Sequence, residues 1–390
     1  MDNLKDNLIP DAVELLMENF MVQRKNNPDV FRELIRNEKA IRIFMIKNFG
    51  YQLKLDSETA KLEKKPYFAR PWMGIETFTN ELDYVFLMAT LALLEKRIVD
   101  EEFTISDLII EISIFLTGIY ETEWKVKHQR ESLIRALVYA QDMELIKVMD
   151  GNISDFVNSE AGDVLYVVTP LIRYMFRNFS KSLASFESEE EILHDGVNQE
   201  NVRHSLFRKL YFEAVVFMSE LSEEEIKFIE EEENYEDVKK TIEQYTNFEL
   251  ERNYQSIYFV QKERKRTLKQ HPSFKHLSYL VCQISNTLLK EAEKELSIEL
   301  LVLKNSKFED ILKKAWTEYS LGWSKANREM PFYKLKKKVI DYAVEWKLAQ
   351  YDEDTMELTI YPAFVRTVGE YDRDLREYID EFNFKEGRGI

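Results

Sequence analysis

Lysine and arginine crowd into three stretches of a chain that is otherwise strongly acidic, and cations gathered in this way can neutralise phosphate. The stretch QKERKRTLKQHPSFKH carries Lys262, Arg264, Lys265, Arg266, Lys269 and Lys275 against the single acid Glu263. A second stretch puts Lys334, Lys336, Lys337 and Lys338 in one helical run, with Lys325 and Arg328 just upstream. Leu335 and Val339 take the core positions of that run, which leaves Lys334, Lys337 and Lys338 facing outward. A third stretch holds Lys125, Lys127, Arg130 and Arg135. Lysines so placed position a duplex by its backbone without reading its bases. Base reading calls for Arg, Asn or Gln on the helix, and the second stretch is mainly lysine.

No catalytic constellation accompanies these cations. The chain has no G-x-x-x-x-G-K-[ST] or G-x-G-x-x-G loop to cradle phosphates, and no G-x-S-x-G elbow. Its five histidines (His128, His194, His204, His271, His276) lack C-x-x-C or H-E-x-x-H companions. The carboxylate runs Glu189–Glu191 and Glu230–Glu233 point around a helix instead of converging, as a solvated face does. Cys282 lies in an apolar run, where a packed thiol is expected and not a nucleophile. The expectation is a protein that is not an enzyme, with no cofactor and no metal.

Composition narrows the class further. The formal net charge of −17 would repel DNA from the chain as a whole, so contact must come from local patches or be shared with a more basic partner. One cysteine excludes an intrachain disulfide and agrees with a reducing cytoplasm. No apolar run approaches the roughly 20 residues of a membrane helix, and MDNLKDNLIPDAVELL lacks the pattern of a secretory signal. Ten glycines and eight prolines in 390 residues favour a mainly helical chain.

The elements that would carry the cations repeat at an offset near two hundred residues. KNFGYQLKLDSETAKLEK (47–64) and TNFELERNYQSIYFVQK (246–262) each read as an N-F turn followed by a short β-hairpin. An apolar helix follows each, LDYVFLMATLALLEKR from Leu82 and LSYLVCQISNTLLKEA from Leu277. Next come TISDLIIEISIFL and FEDILKKAWTEYS, then the helices at 130–146 and 332–349, and finally two β-like runs closed by Pro170 or Pro362. Helix, helix, helix and hairpin is the order of a winged helix. Between the copies, Ser222 and Glu225 fit a capping box. Trp316, Trp323 and Trp346 fit helix faces, while Arg70 and Trp72 of ARPWMG fall in a loop suited to an interface.

KNFGYQLKLDSETAKLEK, LDYVFLMATLALLEK, HQRESLIRALVYAQDMELIKVMDG, GDVLYVVT and WSKANREMPFYKLKKKVIDYAVEWKLAQYD with YPAFVR cover most of the chain in order. They resemble the MukE-like subunit of Wadjet-type SMC plasmid-defence systems. The resemblance implies a kleisin-interacting tandem winged-helix (KITE) protein that binds a kleisin, pairs as a homodimer and helps an SMC-like ATPase clamp double-stranded DNA. ATP hydrolysis and cleavage would belong to other chains.

The fold expected is therefore mainly α with small β-hairpins (α+β), in tandem winged-helix domains related by internal duplication. The first copy spans 1–180 with its wing near 146–169, the linker 181–205, and the second copy 206–390 with its wing near 349–361. A regulator that reads a specific operator through the same helices is the alternative.

Overall fold

The computed structural model describes residues 9–153, 163–177, 179–182, 185–196, 198, 201–263, 265, 269–295 and 301–371, with the backbone alone at 292–295 and 301. From the N-terminal end run α1 (Ile9–Glu18), β1 (Val22–Gln23), α2 (Pro28–Arg36), α3 (Glu38–Phe49), β2 (Leu53–Leu55) and β3 (Thr59–Leu62). The same order returns in α4 (Glu81–Lys96), β4 (Glu102–Thr104), α5 (Ile105–Phe115), α6 (Lys127–Asp142), β5 (Ile146–Gly151) and β6 (Val164–Val168). After α7 (Glu189–His194) it returns in α8 (Val202–Phe212), β7 (Val216–Phe217), α9 (Glu223–Glu230), α10 (Glu232–Tyr245), β8 (Phe248–Arg252) and β9 (Ser256–Gln261). A last round comprises α11 (His276–Glu295), β10 (Leu301–Lys304), α12 (Asn305–Tyr319), the short α13 (Lys325–Arg328), α14 (Phe332–Glu345), β11 (Ala349–Asp352) and β12 (Glu357–Ile360), closed by α15 (Pro362–Arg366).

The fold is α+β. Its strands form small antiparallel sheets of three, in the orders β1-β3-β2, β4-β6-β5, β7-β9-β8 and β10-β12-β11. Helix, strand, helix, helix, strand, strand, with the last strand in the middle, is winged-helix order, and it occurs four times among the described residues. Sequence reading anticipates the hairpins but not the strand that completes each sheet. Val22–Gln23 and Val216–Phe217 are two residues long, and Glu102–Thr104 three. Such runs are too short to show a period of two.

Contacts divide the chain into two compact units. One gathers residues from 1–19, 27–50 and 199–390, the other residues from 20–26 and 51–198. The stretch read as a linker, 181–205, carries α7 and the first residues of α8. In the second unit the core joins Phe86 and Leu94 of α4, Leu108 and Ile112 of α5, Leu133 and Leu137 of α6, and Tyr166 and Val168 of β6. In the first unit Val281 and Ile284, Phe308 and Leu312, Leu335 and Val339, and Leu358 and Ile360 do the same for α11, α12, α14 and β12. Each such side chain contributes about 1.5–3 kcal/mol on burial.

Local signals explain where helices start and stop. Ser222 Oγ accepts the Glu225 N–H at 3.2 Å and Glu225 accepts the Ser222 N–H at 2.8 Å, so the capping box read from sequence is present. Thr104 and Asp107 form another at the start of α5. Helices α6 and α14 end alike. Glu144 (φ 56) and Lys347 (φ 52) turn the chain left-handed, and the next N–H, of Leu145 or Leu348, reaches back to Ala140 or Ala343 at 2.8 Å. The second wing has the tight turn expected near Asp352–Thr355, where the Asp352 carboxylate accepts the Asp354 and Thr355 N–H groups. Gly151 (φ 88) opens the first wing, and any Cβ there would stand 2.5 Å from the Asp163 carbonyl oxygen.

Candidate nucleic-acid interface

Helix α14 separates its faces cleanly. Leu335, Val339, Ile340 and Ala343 are buried, and Lys334, Lys337 and Lys338 are exposed, as the spacing requires. Lys336 turns aside to Glu309 (2.5 Å) and Asn305 (3.0 Å), so it belongs to the packing against α12. The outward cations occupy the first half of the helix, and Asp341 and Glu345 follow in the second. That is the reverse of what the helix dipole favours, since cations stabilise the C-terminal end. Here the lysines and the positive helix terminus add to one another, and an anion is the species that gains from both.

An open groove of about 360 Å³ lies along this helix, with Leu277, Tyr333 and Tyr342 among its walls, Lys334, Lys337 and Lys338 supplying its cations, and Asp341 and Glu345 its two carboxylates. Lys338 Nζ is held 3.3 Å from Asn327 Oδ1 of α13. Tyr333 is 66% exposed, which puts an aromatic ring beside the lysines. Sequence reading passes over Tyr333 because an aromatic at helical spacing is read as core.

Tyr342 fixes what precedes the groove. Its hydroxyl donates to Ser278 Oγ at 3.0 Å and stands 2.9 Å from His271 Nδ1, so the segment before α11 is tied to α14. With its proton engaged by Ser278, the Tyr342 oxygen is the acceptor and His271 Nδ1–H the donor. Burial pushes the Tyr342 hydroxyl up to about 12 and holds His271 down at about 4, so both stay neutral at physiological pH. His271 is thus an inward structural group; sequence reading expects it at the surface.

The other basic residues read from sequence are distributed differently. Lys262 and Lys269 are exposed, and Arg264 and Arg266 lie outside the described residues. Lys265 is engaged by Asp11 (3.1 Å) and Glu14 (2.9 Å), so its charge is already matched. Lys325 is largely exposed, with Glu329 at 4.0 Å, and Arg328 donates to the Leu321 carbonyl at 3.2 Å.

In the other unit, Lys125 and Lys127 are exposed, Lys127 with Glu131 at 3.4 Å. The two arginines there point inward. Arg130 is buried and donates to the carbonyls of Trp124 (2.5 Å) and Lys125 (2.9 Å). Arg135 grips Asp83 with two bonds of 2.8 Å. Burial alone would raise the Asp83 carboxyl, but Arg135 and the Thr79 N–H outweigh it and hold the group at about 2. Both guanidinium groups are engaged within the fold. Arg70 stacks over the Phe68 ring at 5.0 Å, and Trp72 is 42% exposed in the short turn Pro71–Met73.

Among the described residues no helix is long and apolar enough to cross a membrane. A family model described as a protein of unknown function (DUF2398) matches residues 13–370. No curated protein matches the chain.

Proposed function

Since the chain belongs to the DUF2398 family of proteins of unknown function, we propose that it is a MukE-like, kleisin-binding and DNA-clamping accessory subunit of an SMC-type ATPase complex that defends bacteria against plasmids. It works in the cytoplasm, pairs as a homodimer and performs no chemistry of its own. Its halves descend from one copied unit. The shared element order and the left-handed residues Glu144 and Lys347 at matching helix ends support that descent.

The observation that carries the reading is the outer face of α14. Three exposed lysines against two carboxylates, Asp341 and Glu345, line one groove of this helix, with the lysines gathered at its positive N-terminal half, in a chain of net charge −17. A solvated helix of so acidic a protein has no need of such a concentration, whereas a phosphate backbone does. Lysine supplies point charges that track a backbone and leave sequence unread. The operator-reading alternative loses support, because Arg130 and Arg135 are held by internal acceptors.

Co-expression with an SMC-like ATPase and a kleisin, the partners this reading requires, tests it. The chain should co-purify with the kleisin, and the K334E/K337E/K338E variant should assemble equally well yet fail to exclude a plasmid from cells. Failure to associate with either subunit, or full plasmid exclusion by the assembled variant, would refute it.

A further inference from the structure

Helix α5 exposes apolar side chains that its own fold does not require. Ile110 is 61% and Ile114 70% exposed, one turn apart on the helix. Ile119 lies in the turn that follows, its N–H bound to the Leu116 carbonyl, and is 77% exposed. Ile98, also 77% exposed, stands beside the helix, because Arg97 binds Glu111 at 2.7 Å and Lys96 lies 5.7 Å over the Phe115 ring. All of these residues belong to one compact unit.

Sister helices show what this face becomes when it meets water. Helices α5, α9 and α12 each follow the first strand of their sheet. Helices α5 and α12 run in step, since Leu108 and Phe308 are buried, as are Ile112 and Leu312. The outward Ile110 and Ile114 correspond to Asp310 and Lys314, which are exposed and pair with Lys313 and Glu291. On α9 the exposed positions are Glu223, Glu224, Lys227 and Glu230. The winged-helix core is satisfied in all three. An exposed apolar cluster of this kind marks contact with another molecule.

The charges around the stripe are acidic. Residues 95–123 carry eight carboxylates against Lys96 and Arg97, and Arg97 is taken by Glu101 and Glu111. Glu102 and Asp107 are exposed at one end of the stripe, and Glu121 and Glu123 at the other. Asp163 adds to the first end, where it accepts the Ser106 N–H at 3.2 Å. Beyond the second end stand Lys125 and Lys127, the latter with Glu131. Glu102, Glu121 and Glu123 enter no ion pair among the described residues. These ends repel DNA and anionic lipid. They also repel the α5 of a second copy, which in either direction would set carboxylates against carboxylates.

We infer that α5 is a docking face for a short amphipathic helix of another protein, one whose apolar stripe has lysine or arginine at both ends. The 11 residues of α5 span about 16 Å, enough for a helix of some three turns to lie along it. Ile110 and Ile114 form the ridge against which the partner's apolar side chains pack. The partner's cations meet Glu102 and Asp107 at one end and Glu121 and Glu123 at the other, which fixes its register along α5. The inference goes beyond the proposed function, which assigns no partner to this surface, and does not depend on the lysines of α14.

Photo-cross-linking of the full chain in the cells that naturally make it tests this, with a benzophenone amino acid placed at Ile114 and the adduct mapped by mass spectrometry. The adduct should join Ile114 to an apolar helical run of a different protein with lysine or arginine on both sides. The same group placed at Asp310, the polar counterpart, should not capture that run. E102K/E121K/E123K should lower the yield about tenfold, because acidic ends become basic, and reversing the cations of the captured run should restore it. Ile110→Asp, at an exposed site, serves as a second probe and should also abolish the adduct, with circular dichroism melts of both variants confirming the fold. An adduct no stronger than at Asp310, an adduct with a second copy, with nucleic acid or with lipid, or a captured run without cations at its ends would overturn the inference. A yield that ignores the charge reversal, or is not rescued by the converse one, would do the same. Because Lys334, Lys337 and Lys338 are untouched in every variant, failure here leaves the DNA reading standing.

Discussion

Asp83 is wholly buried, and its charge is tolerable there because Arg135 lays two N–H groups against it. Removing the guanidinium strands a carboxylate in the core, so Arg135→Met should lower stability by about 3–5 kcal/mol in urea unfolding. The pH dependence has a definite sign. The folded-state pKa of Asp83 is depressed from 3.8 to about 2, so the stabilisation is complete above about pH 4 and is lost as pH falls toward 2. Across that window Asp83→Asn should lose less stability than the wild type; parallel loss would contradict the pairing. Arg135 also marks a boundary of what sequence reveals. Its partner lies 52 positions away, so counting local charge placed it on the surface with Arg130. The pairing of Lys265 escapes local charge counting in the same way, since Asp11 and Glu14 are some 250 positions distant. Lys334, Lys337 and Lys338 were legible because their orientation follows from Leu335 and Val339, immediate neighbours on one helix.

At the scale of elements, periodicity disclosed the long helices and the hairpins, and it failed on strands of two or three residues, which pair only because β3, β6 and β9 present a free edge. The tie of α14 to the start of α11 and the segment before it was equally hidden. It joins Tyr342 to His271 and Ser278, which lie 71 and 64 positions away. Tyr342→Phe would leave the His271 N–H without its acceptor, at a cost of about 1–3 kcal/mol, measurable by denaturant unfolding. No change would mean that water or another group replaces the hydroxyl. The left-handed residues after α6 and α14 give a second test. Glycine adopts that conformation without the roughly 1 kcal/mol a side chain incurs. Lys347 offsets the strain by pairing with the shielded Glu213 and Glu220 at 2.7 Å, within the same unit, whereas Glu144 pairs with the more exposed Lys25. Lys347→Gly should therefore gain less stability than Glu144→Gly, and the reverse order in thermal melts would contradict this reading of the two helix ends.

Taken whole, the molecule carries a net charge of −17 and, along α14, a groove of three lysines and two carboxylates; under the proposed function, the net repulsion would make partners necessary for firm DNA binding. The isolated protein should bind duplex DNA weakly at physiological salt, and assembly with the kleisin and ATPase should raise the affinity. The central claim is contact with phosphates through α14, and the salt dependence of binding tests it most directly. Duplex affinity of the assembled complex should be measured across a salt series, for the wild type and for K334E/K337E/K338E. Each lost phosphate contact lowers the slope of log K against log salt by about one, so the variant's slope should be shallower by about three, whatever the DNA sequence. An unchanged slope and affinity in an intact complex would show that this helix does not touch the backbone.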